Sequence, residues 1–255
     1  MKKRPGITGA QSAGKALELL RLVSMNHLEG LRLSDAVELS GLDRSTTHRL
    51  LACLVDEGFV DRAEPLRRYR LGMEAMQFGL LSTAMTPLVE RFRHVLRDLA
   101  QRSGDTAFLV VQSGDHALCI HREEGAYPIK ALLVEVGTRR VLGASGVGVG
   151  VLARLQDAEV DAIYGRQKSE YRKIGLTLEG LRRFVEETRK LGYSQTPDHT
   201  TGEARGVGCA VRLSDTSYAG ISLAAINARM TTERRRELGK ALVEALRPFE
   251  AITRP

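Results

Sequence analysis

The 255-residue chain has no tryptophan, 5% aromatic residues, seven prolines and three cysteines. Cys53, Cys119 and Cys209 lie far apart and show no CxxC or Cys/His ligand spacing, which argues against a disulfide framework and against a metal site. No apolar run approaches the roughly 18 residues of a membrane span. The opening MKKRPGITGAQSAG is basic but lacks the apolar core of a signal peptide. A cytoplasmic protein with no membrane partner is therefore expected. There is no internal repeat and no low-complexity tract. The 43% of hydrophobic residues is enough to fill the cores of two modest domains or one large one.

The net charge of +7 points toward nucleic acid, yet it is spread widely. In residues 1–82, twelve Lys/Arg against ten Asp/Glu leave only +2, so local placement has to carry the argument. The stretch LSDAVELSGLDRSTTHRLLACLVDEGFV supplies that placement. Ser34 is a candidate cap for a short helix through Ser40, Gly41 suits a tight turn, and Asp43 caps a second helix over residues 44–57. Thr47, Leu50, Leu51, Leu54 and Val55 share one side of that helix. Arg44, Ser45, Thr46, His48 and Arg49 are left on the other, all hydrogen-bond donors suited to base edges and phosphates in a major groove. An amphipathic hairpin facing water would give the same pattern, but two short extended runs follow at once, residues 59–62 and 68–71, carrying Arg62, Arg67, Arg68 and Arg70. A helix-turn-helix with a basic hairpin is a winged helix, a binder of double-stranded DNA. One such module reads few base pairs, so a homodimer on a pseudo-palindromic operator is expected.

Residues 1–12 read as a flexible basic arm with Lys2, Lys3 and Arg4, and residues 13–71 as the DNA-binding domain, opened by an amphipathic helix over residues 13–25. Residues 72–86, with Met73, Met76, Phe78 and Leu80 on several faces, read as a linker helix that packs on its own domain and on another subunit; a helix internal to one domain is the alternative. Residues 87–255 form the second domain. A long helix ends at Gly104, and strands are expected at 107–112, 117–122 and 129–136. Helices follow, one of them capped by Thr177, then strands at 206–213 and 218–226 and a last helix. Hairpins with helices gathered in two blocks argue for an α+β domain built on an antiparallel sheet.

Two catalytic readings are weak. ASGVGVG is followed by no GK[ST], so it is no phosphate loop. It could form a small anion site at a helix start with Ser145, or its glycines could serve clearance alone. Cys209 as a nucleophile, with His121 or His199 as base, lacks an orienting acid and sits in the apolar run GVGCAVRL. No enzyme activity and no cofactor are expected.

The ordered motifs ALELLRLV, LRLSDAVELSGLDRSTTHRLLACLVDEGFV, YRLG, VGTRRVLGASGVGVGVLA, GVGCAVRL and GISLAA resemble the IclR-type transcriptional regulators over nearly the whole chain. The resemblance implies an N-terminal winged helix-turn-helix, a linker helix and a C-terminal GAF-like effector-binding domain, assembled as a homodimer or dimer of dimers. It places an effector pocket between the Gly-rich turn and the last hairpin. Ala144, Ser145, Gly146 and Val147 would form one wall, Cys209 and Ser222 would lie on the strands, and Asp198 on a loop where His199 and Glu203 are rivals. Val141 stands where the family often has proline, and Ala224 where some acid-binding members carry a second serine. The hydroxyls of Ser145 and Ser222, with one of Arg139 and Arg140 facing inward, suit a small organic acid.

Overall fold

The computed structural model describes residues 10–26, 29–63, 65–84, 87–129, 134–195, 204–214 and 217–250. The chain divides after residue 86 into two compact units.

In the first unit, α1 (Gln11–Met25), α2 (Leu33–Ser40) and α3 (Arg44–Asp56) enclose Leu19, Leu22, Val23, Ala36 and Leu51, with Val60 and Tyr69 closing the core from the hairpin β1 (Val60–Ala63) and β2 (Arg68–Leu71). Gly41 makes the α2–α3 turn at φ 65°, a left-handed conformation that glycine adopts without strain, and its N–H donates to the Val37 carbonyl at 3.0 Å. Ser34 does not cap α2. Leu31 exchanges two backbone hydrogen bonds with Tyr69, at 2.9 and 2.8 Å, which holds the incoming chain extended through Arg32. The helix therefore begins at Leu33, and Ser34, already inside it, bonds the Asp35 carboxylate at 3.0 Å. α4 (Met73–Ala84) follows the hairpin, and its Phe78 ring lies 5.5 Å from that of Phe59.

The second unit is a six-stranded antiparallel sheet in the order β5-β4-β3-β8-β7-β6. Its hairpins are β3 (Thr106–Ser113) with β4 (His116–Glu124), and β7 (Ala204–Ser214) with β8 (Ser217–Ile226). The edges are short, β5 (Arg139–Val141) and β6 (Ser194–Gln195). Alternation along the strands divides the core. Ala107, Leu109, Val207, Cys209, Ile221 and Leu223 pack under α5 (Pro87–Ser103) and α10 (Thr232–Glu250). Phe108, Val110, Cys119 and Ala210 face the opposite layer of α6 (Gly146–Leu152), α7 (Asp157–Arg166), α8 (Lys168–Lys173) and α9 (Leu178–Leu191). Thr177 caps α9 by accepting the Gly180 N–H at 3.1 Å.

The strand expected over residues 129–136 is not found where the chain is described; residues 130–133 lie outside the described residues, and 129 and 134–136 belong to no strand. Pairing starts later, because Gly137 at φ 91° turns the chain and the Thr138 carbonyl then accepts the Cys119 N–H at 3.0 Å, leading into β5. No helix among the described residues is long and apolar enough to cross a membrane.

Candidate functional site

Two surfaces bear on function, one in each unit. On α3, Asp43 accepts the Thr46 N–H at 2.8 Å and the Ser45 hydroxyl at 2.7 Å, and these donors hold its carboxyl well below the usual carboxylate range. Thr47 is buried and donates its hydroxyl to the Asp43 carbonyl at 2.9 Å. Arg44, Ser45, His48 and Arg49 are exposed on one side of α3 with Thr46 half-buried beside them, so the five expected donors do share a surface. Ser45 is the least available of them, since its proton is committed to Asp43.

The wing separates its arginines. Arg62 is exposed with its guanidinium 5.9 Å from the centre of the Tyr69 ring, and Arg67 is exposed at the tip with φ 49°. Arg68 has another task. It donates to the carbonyls of Glu29 at 3.0 Å and Gly30 at 3.1 Å, fastening the wing to the approach to α2. Arg68→Ala is therefore expected to destabilise the first unit by about 1–2 kcal/mol. It should also change the salt slope of DNA binding less than Arg67→Ala does. Denaturation curves and salt titrations of the two variants check this together.

In the second unit, the glycines of the ASGVGVG turn allow close approach. A Cβ on Gly208 would lie 2.5 Å from the Val147 nitrogen and 2.6 Å from the Gly146 carbonyl carbon, so α6 can rest on β7 only because residue 208 is glycine; a Cβ on Gly146 would sit tightly, 3.1 Å from the Gly208 nitrogen. The Ser194 hydroxyl, which no sequence motif singles out, sits between the carbonyls of Gly146 and Gly208 and ties the layers together. Beside this contact lies a cavity of about 60 Å³. Phe108, Val110, Ala117 and Cys119 form its apolar wall, Ser145, Gly146 and Ser222 one polar side, Thr138 and Arg140 the β5 end, and Ala204–Gly206 with Ala224 the other.

The expected residues divide accordingly. Ser145, Gly146 and Ser222 meet at the cavity, and Arg140 rather than the exposed Arg139 reaches it. Ala144 and Val147 are buried in the core behind it and are absent from its lining. Cys209 is misplaced by the sequence reading: strand alternation turns it to the opposite face, where its Sγ lies 3.6 Å from the Gly192 carbonyl. Asp198, His199 and Glu203 lie outside the described residues. The Ser145 hydroxyl accepts the Gly148 N–H at 3.2 Å, and α6 spans only seven residues, so the polar character of the cavity comes from side chains rather than from a helix dipole. Arg140 is half-buried, and that loss of solvent lowers its pKa from the ordinary guanidinium value; an anion alongside would offset the penalty. Burial pushes the thiols of Cys119 and Cys209 up to about 11, which leaves both protonated at neutral pH and poor nucleophiles. Among the described residues no group of three or more His, Cys, Asp or Glu could hold a metal ion.

The family model for the bacterial transcriptional regulator IclR C-terminal domain matches residues 81–249, and that for the IclR helix-turn-helix domain matches residues 12–64. The chain belongs to the IclR family of transcriptional regulators. Among IclR relatives, the HTH-type transcriptional regulator BhcR of Paracoccus denitrificans is 29% identical over 254 residues, covering 96% of this chain and 90% of that one. The transcriptional repressor IclR of Escherichia coli is 27% identical over 246 residues, with coverage of 94% and 89%. An IclR family transcriptional regulator from Brucella abortus shares the fold, with a TM-score of 0.81 at 16% identity over 99% of this chain and 95% of that one. The family read from the ordered motifs is thus the family to which the chain belongs, and the α+β architecture with an N-terminal helix-turn-helix is the IclR fold. IclR membership makes the chain a DNA-binding transcriptional regulator.

Proposed function

We propose that this IclR-family regulator binds a pseudo-palindromic operator as a homodimer or dimer of dimers and that a small aliphatic carboxylic acid in the second unit adjusts its affinity for DNA. The cavity carries the reading: a half-buried guanidinium, Arg140, and the hydroxyls of Ser145, Ser222 and Thr138, facing an apolar wall of Phe108, Val110, Ala117 and Cys119. Directed donors select a carboxylate, and the apolar wall takes its carbon chain. Size narrows the class. A cavity of about 150 Å³ admits benzene, so one of about 60 Å³ favours acids of three or four carbons over aromatic ones. The sign of regulation follows from whether the acid binds more tightly to the DNA-competent arrangement or to the incompetent one. A thermal-shift series with short-chain carboxylic acids tests the reading. Stabilisation of the parent protein that is lost in a Ser145→Ala, Ser222→Ala double variant is expected, and equal stabilisation of both would place the acid elsewhere.

The exposed α4 supports the dimer. Met76, Phe78, Leu80 and Leu81 are all more than half exposed in the single chain, apolar surface on several faces of α4 that water would not favour and that a second copy would cover in part. Phe78→Glu is expected to dissociate the dimer and weaken operator binding while leaving each unit folded, because the 60% exposed ring contributes little to its own core. Sedimentation velocity checks this; an intact dimer with unchanged DNA affinity would move the interface off α4.

A further inference from the structure

The tip of the β1–β2 hairpin departs from ordinary turn chemistry at two adjacent positions. Ala63 and Arg68 form the last strand pair, and the turn beyond them carries Pro65, Leu66 and Arg67, all exposed. Hairpin tips favour glycine, asparagine and aspartate, which take positive φ readily and are at home in water. Arg67 instead holds φ 49° and is the only non-glycine residue with positive φ among the described residues, so a long cationic side chain stands where glycine would be free of strain. Leu66 beside it is 72% exposed and takes no part in the core that Val60 and Tyr69 close. A lone exposed leucine needs no explanation. This one sits between a proline, which restricts the backbone, and a strained arginine. The hairpin below it is braced by the Arg68 bonds to the Glu29 and Gly30 carbonyls and by the backbone pairing of Leu31 with Tyr69. Val60 and Tyr69 also share one core with Leu51 and Leu54 of α3, so the tip moves with α3 as one body.

We propose that Leu66 is a minor-groove wedge: with α3 in the major groove, the wing tip enters the neighbouring minor groove, where Arg67 meets the phosphates and Leu66 pushes between stacked base pairs and kinks the duplex. The inference rests on the operator binding proposed above and adds a residue that reads DNA by deforming it. The chemistry of the tip selects this partner. A leucine flanked by exposed arginines, Arg62 and Arg67, fits a polyanion with an apolar interior, which is what a base stack lined by phosphates offers. Major and minor grooves alternate on one side of a duplex about every half turn, roughly 5 base pairs, which sets the wedge that far from the centre of the bases read by α3. Unstacking is easiest at pyrimidine–purine steps, so a wedge selects such a step without any hydrogen bond to a base edge.

The test uses the full chain and a duplex that it selects from a random-sequence library. 2-Aminopurine, whose fluorescence rises on unstacking, replaces successive adenines, and dyes at the two ends report the bend by energy transfer. For the parent protein the fluorescence is expected to rise at one position in each half-site and the ends to draw together. Leu66→Ala should abolish the rise, reduce the bend and weaken binding without changing its salt dependence, since no phosphate contact is lost. Leu66→Met should retain both signals, because methionine also serves as a wedge. Replacing the pyrimidine–purine step at the responding position by a stiff AA step should cost the parent roughly tenfold in affinity and cost Leu66→Ala nothing. The melting temperature of the first unit should be the same in Leu66→Ala as in the parent. A duplex that stays straight with unchanged fluorescence, or signals that survive Leu66→Ala, would overturn the wedge and leave operator binding standing. A lower melting temperature for Leu66→Ala would overturn it too, by showing that Leu66 packs within its own unit. If no duplex were enriched from the library, the operator-binding reading itself would fall and the wedge with it.

Discussion

Arg49→Ala is expected to weaken operator binding by about 2–6 kcal/mol per dimer. A bidentate arginine–base contact supports roughly 1–3 kcal/mol of discrimination, and a two-fold symmetric complex loses it in both half-sites. The structure favours Arg49 for this role because it is exposed beside His48 in the second turn of α3. Ser45, one turn earlier, is engaged with Asp43. Ser45→Ala should therefore leave base preference nearly intact. Binding of operator and scrambled duplexes by fluorescence anisotropy separates the two. If Arg49→Ala weakens both duplexes alike, Arg49 touches phosphate rather than a base.

Asp105→Ala is expected to lower the stability of the second unit by about 3 kcal/mol. The buried Asp105 takes Arg229 and Arg234 on its two carboxylate oxygens, each at 2.8 Å. Removing one member of a buried ion pair typically costs roughly 3–5 kcal/mol, because the remaining charge loses its compensation. The lower figure applies here, since the Ser103 carbonyl still accepts from Arg229 at 3.1 Å and from Arg234 at 2.7 Å, and the Tyr127 ring still lies 3.9 Å from the Arg229 guanidinium. For a unit of this size the melting temperature should fall by roughly 6–12 °C. Differential scanning calorimetry of the full chain checks this, with the transition of the first unit serving as an internal reference.

The first unit was largely legible in the sequence because its signals are local. Gly41 and Asp43 mark the turn and the cap of α3, and helical spacing separates Thr47 and Leu51 from Arg44 and Arg49. The failures arose where a distant partner decides. Ser34 is a good capping residue by type, but pairing of Leu31 with Tyr69 fixes the chain before it and moves the helix start. Arg68 resembles the other wing arginines until the Glu29 and Gly30 carbonyls come within reach. In the second unit the hairpins and the Thr177 cap could be read from local pattern. The cavity could be read only in part, because membership of its lining depends on strand parity. Cys209 and Gly208 are adjacent in sequence yet face opposite layers, so a motif that locates the strand does not reveal which residue looks inward. Phe108, Cys119 and Ala224 come together only through the β4-β3-β8 pairing, for which no single stretch of sequence carries a signal. The aspartate clamp joins residues 105, 229 and 234, too far apart to form a motif.

The central claim is that occupancy of the second unit's cavity changes the affinity of the first unit for DNA. The most direct measurement is the dissociation constant for an operator duplex with and without a saturating short-chain acid, made on the parent protein and on the Ser145→Ala, Ser222→Ala variant. Coupling free energies between linked sites typically run about 1–3 kcal/mol, so a 5- to 150-fold change is predicted for the parent and none for the variant at the same acid concentration. An operator affinity that stays the same while calorimetry shows the cavity filled would contradict the account.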